Sequence, residues 1–351
     1  MVLLVISVLI NCGGGGESST SAGDDGGSGS SGWLIPAGEV IDGGPGKDGI
    51  PALSNPVFVP LGQSGTKANG LVIGILADGE PRAIPHDIMD WHEVLNDNFQ
   101  NGPVVMSYCP LTGSAMLWEA SDSAQDPTFG VSGLLYNSNL ILYDRETDSN
   151  WAQMRLQAVQ GTRQGEVPIS LPLVEMTIES WREMYPDSDI LSRQTGFSRN
   201  YDRYPYGSFR KNNELLFNVT PFDDRMHPKT RVLGIVVNRI ARAYVIDDFS
   251  PDIEVINDDL DGIPILVVGS ADRKFGVGFR RTLEDGTLLA FLPSNEPLPA
   301  IVSDDEGNTW DLFGRALTGP RAGQNLILME SYVAYWFAWG AFHPGSEIDN
   351  L

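Results

Sequence analysis

Cysteine is almost absent from this sequence. The 351 residues contain two cysteines, Cys12 and Cys109. Cys12 ends an apolar N-terminal segment, and if it is lipidated, Cys109 is the only thiol of the mature protein. A single thiol excludes an intramolecular disulfide, so the fold must be held together by packing alone. A lone cysteine outside the cytoplasm is unusual, which makes Cys109 the first candidate for chemistry.

Basic residues are also scarce. Lys and Arg number 23 against 46 Asp and Glu, which gives a formal net charge of −23. The basic residues form no cluster in the sequence, so we expect no nucleic-acid partner. An acidic surface is repelled by anionic lipid headgroups, so we expect attachment to a membrane only through a covalent lipid.

The N-terminal apolar run is too short to cross a membrane. MVLLVISVLIN has eleven residues, whereas a helix that spans the bilayer core needs about 20. The run stops at Cys12 and opens into a Gly/Ser-rich stretch, which resembles a bacterial lipoprotein signal, although Asn11 replaces the usual small residue and no basic residue precedes the run. We therefore predict lipidation of Cys12, a flexible tether and a cell-envelope location, as an outer-membrane or periplasm-facing lipoprotein.

The body of the chain repeats itself. IGILADGEPRA at 73–83 recurs as LGIVVNRIARA at 233–243, and PVVMSYC at 103–109 recurs as PILVVGS at 264–270. Two tryptophan pairs follow at nearly the same offset: Trp151 with Trp310, and Trp181 with Trp339. We interpret the pattern as an internal duplication. The first copy has Cys109 where the second has Ser270, so we predict that the first copy is functional and the second is a scaffold.

This interpretation divides the chain into seven segments. They are a lipoprotein-type signal at 1–12, a Gly/Ser tether at 13–32, an extended lead-in at 33–70, module one at 71–187, a connecting Tyr/Arg-rich loop at 188–231, module two at 232–345 and a tail at 346–351.

Short strands and turns dominate the predicted structure. Asp78-Gly79 and Asn238-Arg239 each predict the turn of a hairpin. Further strands are predicted at 103–109, 114–119, 128–133 and 138–144, and helices at 86–95 and 176–185. The aromatic run 332–342 is expected at the interface between the modules. The predicted fold class is mainly β with short helices (α+β), arranged as two pseudo-symmetric β-rich modules.

The segment Tyr108-Cys109-Pro-Leu-Thr112-Gly-Ser114 is the main candidate site. A buried strand ends there in a Pro/Gly turn, whose free backbone N–H groups favour an anion such as a thiolate. Thr112 can donate a hydrogen bond to Cys109. His92 lies near the C-terminal end of the predicted helix 86–95 and can act as a general base or lower the pKa of the thiol. The resulting hypothesis is a thiol oxidoreductase or peroxide-reducing protein with Cys109 as nucleophile.

Two other hypotheses stay open. In the first, the protein binds a metal, most plausibly copper, through Cys109, His92, His86 and Met106, with Met116 as an alternative ligand; no other cofactor is predicted. In the second, the protein is a non-catalytic ligand-binding lipoprotein whose loop 195–209 recognises the ligand, and Cys109 is a core residue.

The remaining candidate residues concern the substrate. We expect Tyr108, Ser114, Tyr136 and Asn137 to line its pocket, because Tyr136 and Asn137 lie beside Gly-containing strand positions that permit close approach. The partner in the redox hypothesis is a small-molecule or protein substrate with a thiol or peroxide group.

Several motifs together resemble one bacterial family. They are HEVLND, SYCPLTGSA, FGVSGLLYNSNLILYDRET, NWAQM and TGFSRNYDRYPYGSF, spread over about residues 70–345. The chain is identified as a member of the domain-of-unknown-function family 3179, labelled a "(seleno)protein" family. The label implies that some members carry selenocysteine in the CPLT segment, at the position of Cys109, and so favours redox chemistry there. Other members read CPLCG, and Thr112 replaces their second cysteine here.

Overall fold

The computed structural model describes residues 32–67, 69–120 and 128–349. The signal, Cys12 and nearly all of the tether lie outside these ranges. The described structure is mainly β, with three short α-helices and several 3-10 turns. No helix within it is long and apolar enough to cross a membrane.

The lead-in, module one and the start of the connecting loop contain fourteen strands and two α-helices. They are β1 (Val40–Asp42), β2 (Leu53–Ser54), β3 (Phe58–Pro60), β4 (Leu71–Ala77), β5 (Glu80–Pro85), α1 (His86–Met89), β6 (Val94–Phe99), β7 (Gly102–Cys109), β8 (Ser114–Glu119), β9 (Phe129–Tyr136), β10 (Asn139–Asp144), β11 (Asn150–Ala152), β12 (Gln157–Gln160), β13 (Leu173–Thr177), α2 (Ile178–Met184) and β14 (Asp189–Leu191).

Module two and the start of the tail contain eleven strands and one α-helix. They are β15 (Arg231–Val237), β16 (Ile240–Val245), β17 (Glu254–Leu260), β18 (Ile263–Ser270), β19 (Phe275–Arg280), β20 (Phe291–Pro293), β21 (Val302–Asp304), β22 (Thr309–Trp310), β23 (Ala316–Thr318), β24 (Glu330–Tyr335), α3 (Trp336–Phe342) and β25 (Glu347–Ile348).

The two predicted hairpins are present. β4 pairs with β5 and β15 pairs with β16, both antiparallel. Their turns place Asp78 at φ 56° and Asn238 at φ 48°, the left-handed region that two-residue hairpin turns require. The predicted strands after residue 102 and the helix before Pro186 are also confirmed, and the Thr177 hydroxyl caps α2 by accepting the Ser180 N–H.

The predicted helix at 86–95 is wrong beyond its first turn. α1 spans only His86–Met89, and the chain then bends at Glu93, whose φ is 58°. Val94 and Leu95 begin β6 and are buried in different core clusters. That alternation between two faces is a strand pattern, and at this length the apolar spacing did not separate it from a helix.

The lead-in is more ordered than its proline and glycine content predicts. β1 pairs with β9, β2 with β6 and β3 with β14, so this segment crosses three different sheets. The lead-in therefore packs along module one, and its buried residues Leu53 and Leu61 contribute to the core.

The two modules have matching strand orders. Module one contains the orders β13-β4-β5-β14 and β6-β7-β8, and module two contains β24-β15-β16-β25 and β17-β18-β19. In both modules the first strand of the larger sheet runs directly into a seven-residue helix, α2 or α3. The duplication itself stays a prediction, and superposition of 71–187 on 232–345 is its test.

The modules also exchange contacts in a reciprocal way. The N–H of Tyr335, at the end of β24, donates to the carbonyl of Thr112 at 2.7 Å, and the N–H of Thr177, at the end of β13, donates to the carbonyl of Arg273 at 3.0 Å. The aromatic run from Tyr332 shares one buried cluster with Cys109. Residues 32–349 accordingly fall within one compact unit.

Candidate functional site

Cys109 is the last residue of β7 and is 1% exposed. Side chains alternate along the strand, so Cys109 shares one buried cluster with Val105, whereas Met106 and Tyr108 belong to another. Its thiol approaches the carbonyl of Ser138 at 3.8 Å.

A tight turn follows the cysteine. The Gly113 N–H donates to the Cys109 carbonyl at 2.8 Å, and Gly113 has φ 61°. A Cβ on Gly113 would lie 2.9 Å from the Tyr335 ring, so both the backbone angle and the close approach require glycine here. The N–H and hydroxyl of Thr112 lie close enough to the thiol to lower its pKa. The role of Thr112 as a hydrogen-bond donor to a reacting thiolate stays a prediction.

Cys109 lines a cavity of about 310 Å³. We call this space the thiol cavity. Its wall comes from the lead-in, the end of α1, strands β9 and β10, and the connecting loop. The lining includes Ile50, Pro51, Trp91, Glu93, Cys109, Val131, Leu134, Leu135, Leu140, Arg199, Tyr206 and Phe217.

Two buried acids line the thiol cavity: Asp90, which forms an ion pair with Arg210, and Glu93, which pairs with no Lys or Arg of the described residues. Glu93 is 5% exposed, and its Oε1 accepts a hydrogen bond from the Tyr206 hydroxyl at 2.9 Å. Burial raises the pKa of Glu93 to about 7; the Tyr206 hydrogen bond lowers this pKa and the Asp90 charge raises it. A carboxyl with such a pKa exchanges protons near neutrality, which suits a general acid or base.

The thiol itself is not activated at rest. Burial raises the pKa of Cys109 to about 11, and the Glu93 charge adds to the shift against the hydrogen bonds from Thr112 and the Leu140 backbone. The hydrogen bonds of the turn do lower this pKa, but burial outweighs them, and His92 is not among the groups that shift it. Desolvation exceeds the stabilisation by the N–H groups because the sulfur is enclosed.

His92 joins two other segments. Its Nδ1 lies 2.8 Å from the Pro51 carbonyl and its Nε2 lies 2.7 Å from the Tyr201 hydroxyl. Burial lowers the pKa of His92, so the ring is neutral at pH 7. One ring nitrogen of His92 contacts the lead-in and the other contacts the connecting loop. His92 therefore holds these two segments together.

Tyr108 points away from the thiol. Its hydroxyl accepts a hydrogen bond from Arg210 Nη2 at 2.8 Å, and Arg210 also forms an ion pair with Asp90. The Arg210 guanidinium lies 4.0 Å from the centre of the Tyr204 ring. This charged cluster fastens the connecting loop to the end of α1.

Ser114 and Thr112 belong to a buried polar network. The Thr112 and Ser114 hydroxyls lie 2.9 Å apart, and Ser114 donates to Gln153 Oε1 at 2.9 Å. Asn139 Nδ2 donates to Thr112 Oγ1 at 2.9 Å, and its Oδ1 accepts the Met154 N–H at 3.0 Å. Ser114 is thus placed to fix the turn; it is not among the residues that line the thiol cavity.

Asn137 and Tyr136 also lie outside the lining of the thiol cavity. Asn137 accepts the Thr220 N–H at 2.8 Å and donates to the Thr220 carbonyl at 3.2 Å, so it clasps the connecting loop. The Tyr136 ring packs edge-on against Phe342 with centroids 5.5 Å apart.

The proposed copper ligands are not gathered around Cys109. Met106 lies on the opposite face of β7, and the His86 ring packs at a tilt against Tyr108 on that same face, with ring centroids 4.4 Å apart. His86 Nε2 faces Glu175 Oε2 at 3.1 Å. Met116 does share the cluster of Cys109. Within the described ranges, no group of three or more His, Cys, Asp or Glu side chains can hold a metal ion.

The sequence interpretation did not propose Glu93 as a site residue, and it included Tyr206 and Arg199 only as members of loop 195–209 in the ligand-binding hypothesis. One signal in the sequence pointed to Glu93: it is the one acidic residue in the stretch Trp91-His-Glu-Val-Leu95, whose other members are apolar or aromatic. Tyr206 and Arg199 lie in the long connecting loop, and only the fold brings them to the thiol.

The described residues define a class of protein: a mainly β fold in which one buried thiol and two buried carboxyls line a largely apolar cavity. The chain belongs to the family described as Protein of unknown function (DUF3179), whose model matches residues 47–346. The match includes the lead-in from Lys47 as well as both modules. Neither a curated protein nor a solved structure matches the chain.

Proposed function

We propose that the protein reduces hydroperoxides with the Cys109 thiol, and that Glu93 carries the proton. The supporting observation is that Cys109 and Glu93 line the same largely apolar cavity. Glu93 takes the role that the sequence suggested for His92, because His92 has both ring nitrogens engaged elsewhere.

The resting thiol is protonated, so its proton must leave as the sulfur attacks. Ionised Glu93 accepts the thiol proton, the Cys109 sulfur attacks the terminal peroxide oxygen and the O–O bond breaks. Glu93 then returns the proton to the departing alkoxide. The products are a Cys109 sulfenic acid and an alcohol, so the sulfur loses two electrons and the peroxide gains two.

An external low-molecular-weight thiol completes the cycle, since Cys109 is the only cysteine within the described ranges. This thiol condenses with the sulfenic acid to give a mixed disulfide and water. A second molecule of it attacks the mixed disulfide, releases Cys109 as a thiol and leaves as the external disulfide.

Glu93→Gln tests the proton carrier. We expect peroxide reduction to fall about 100-fold, the scale of general acid–base catalysis. Direct alkylation of Cys109 at alkaline pH should instead become faster, because the variant removes a charge that raises the thiol pKa. The wild-type rate should rise with pH through about 7 as Glu93 ionises, and this limb should vanish in the variant. An unchanged peroxide rate in Glu93→Gln contradicts the role.

A second candidate function is ligand binding without chemistry. The raised pKa of Cys109 favours it, because a thiol that stays protonated is a poor nucleophile. Intact mass after mild peroxide separates the two. An added oxygen on Cys109 supports reduction, whereas an unmodified thiol in protein that still binds an apolar ligand supports the binding function.

We also propose that the protein acts outside the cytoplasm, anchored by a lipid on Cys12. The support is the lipoprotein-like signal and the tether in the sequence. Labelling of the mature protein with palmitate is the expected result. A soluble mature form that starts beyond Cys12 contradicts this location.

A further inference from the structure

We infer that the substrate of the thiol cavity is an organic hydroperoxide with an apolar body and a carboxylate that binds Arg199. This inference rests on the proposed function and adds the class of substrate. It draws on the cavity wall, on the buried Glu93 carboxyl in that wall and on the unpaired charge of Arg199.

The wall of the thiol cavity selects an apolar body. Aliphatic and aromatic side chains dominate its lining, among them Val131, Leu134, Leu135, Leu140 and Phe217. A volume of about 310 Å³ lies at the small end of ligand cavities, which range from roughly 300 to 1,000 Å³. Water and hydrogen peroxide gain nothing from such a wall, whereas an alkyl or aryl group does.

The burial of the sulfur excludes a large substrate. Cys109 is 1% exposed, so a disulfide or peroxide carried on another protein cannot approach the sulfur without a rearrangement of the loop above it. Tyr206 and Phe217 from the connecting loop form part of the enclosure. A small molecule that enters the cavity is the substrate this geometry accepts.

Glu93 points to a hydrogen-bonding group deep in the cavity. The carboxyl is 95% buried, and Tyr206 occupies only Oε1. The same carboxyl lines the thiol cavity together with Cys109, so it can accept a hydrogen bond from the O–H of a hydroperoxide bound there.

Arg199 supplies the recognition of the acid group. It is the one Lys or Arg among the described residues that line the cavity, and it is exposed, so it marks the open side. Its guanidinium lies 5.8 Å from the Trp91 ring centre, and its hydrogen bond goes to the Ser198 carbonyl at 3.4 Å. It pairs with no carboxylate in the described part of the chain. An acidic protein repels anions, so a free guanidinium at the mouth favours an anionic end.

A matched set of three peroxides tests the inference. Cumene hydroperoxide is apolar and neutral, its para-carboxylate adds the acid, and hydrogen peroxide lacks the body. With dithiothreitol as reductant, we expect kcat/KM to fall about tenfold or more at each step, from the carboxylate to cumene hydroperoxide to hydrogen peroxide. Arg199→Gln should lower the ratio of carboxylate to neutral rates about tenfold, the scale of a charge-assisted hydrogen bond.

Arg203→Gln is the control. Arg203 is exposed in the same loop and does not line the cavity, so its loss removes the same charge and should leave the ratio unchanged. An equal fall in both variants would overturn the role of Arg199. If hydrogen peroxide reacts as fast as cumene hydroperoxide, the inference that the substrate has an apolar body is wrong. The proposal that the protein reduces peroxides is unaffected by that result. If none of the three oxidises Cys109, peroxide reduction itself fails.

Discussion

Cys109 and Ser270 end corresponding strands of the two modules, yet their surroundings differ. Cys109 faces the thiol cavity, whereas the Ser270 hydroxyl donates to the Pro251 carbonyl at 2.7 Å and accepts the Arg273 N–H at 3.2 Å. Opposite them on the next strand stand Ser114 in module one and the buried Phe275 in module two. Corresponding strand ends thus hold a buried thiol beside a cavity in module one and a hydroxyl with two hydrogen bonds in module two.

The acidic residue near each strand shows the same contrast. Glu93 precedes β6 and is buried against Tyr206, whereas Glu254 begins β17, is half-buried and accepts the Ser250 N–H at 2.6 Å. Tyr206 comes from the connecting loop, which covers module one at this point. The comparison indicates that the loop, more than the sheet, makes the site of module one.

Substitutions at Cys109 and Ser270 test the difference between the two modules with the largest expected effect. Cys109→Ala should reduce peroxide turnover by more than about 10³-fold, as expected when a nucleophile is removed. Ser270→Ala should change it less than about twofold, because Ser270 bonds only backbone of its own module. The measurement is peroxide consumption with dithiothreitol.

The double variant Cys109→Ala/Ser270→Cys is the matched control. It places a thiol at the corresponding strand end without the cavity or Glu93, so it should stay inactive. Recovered activity would show that the strand end alone is enough, against the argument from the connecting loop.

Two glycines test whether the modules pack in the same way, because each lies against a buried tryptophan ring. A Cβ on Gly74 would lie 2.0 Å from the Trp181 ring, and one on Gly234 would lie 2.1 Å from the Trp339 ring. Both rings are buried, and their N–H groups donate to Ser188 at 2.9 Å and Ser346 at 2.8 Å, so neither ring can move freely. Gly74→Ala and Gly234→Ala should each lower the free energy of unfolding by about 3 kcal/mol.

Denaturant unfolding measures these losses. Gly62→Ala is the control, since a Cβ there meets nothing within 4 Å, and it should stay within about 0.5 kcal/mol of wild type. A large loss in one glycine variant and none in the other would argue against a shared packing solution.

Much of the frame was predictable because it depends on local patterns. Hairpin turns such as Asp78-Gly79 and the strand predicted at 103–109 depend on neighbouring residues, so the sequence predicted them. Cys109 stood out for its scarcity. The helix at 86–95 failed because the apolar pairs of a short strand and of a helix overlap in spacing.

The rest of the site depends on contacts far apart in the sequence. Glu93 and Tyr206 are separated by 113 positions and meet through one hydrogen bond. His92 lay near Cys109 in the predicted order of elements, but Pro51 and Tyr201 occupy its ring. Burial of Cys109 is the main reason that its pKa is raised. The connecting loop and the lead-in help to bury it, and the sequence did not predict the paths of these two segments.

A pair of asparagines gives the finest comparison of the modules. Asn96 Nδ2 donates to the Phe129 carbonyl at 3.0 Å and its Oδ1 accepts the Phe129 N–H at 2.7 Å. Asn257 holds Phe291 in the same two-point way, at 2.7 and 2.9 Å. The clasps differ in burial: Asn96 is 5% exposed and also bonds the Leu53 carbonyl of the lead-in, whereas Asn257 is exposed.

Replacing each asparagine by alanine should therefore have unequal costs. Asn96→Ala leaves buried backbone groups of Phe129 and Leu53 without partners, which should lower the free energy of unfolding by about 1–3 kcal/mol. Asn257→Ala lets water reach the freed groups of Phe291, so its cost should stay below about 1 kcal/mol. Denaturant unfolding of both variants at one pH gives the difference. If both variants lose the same free energy of unfolding, burial does not make the hydrogen bonds of Asn96 more stabilising than those of Asn257. The bond from Asn96 to the lead-in would then add nothing to the stability of module one.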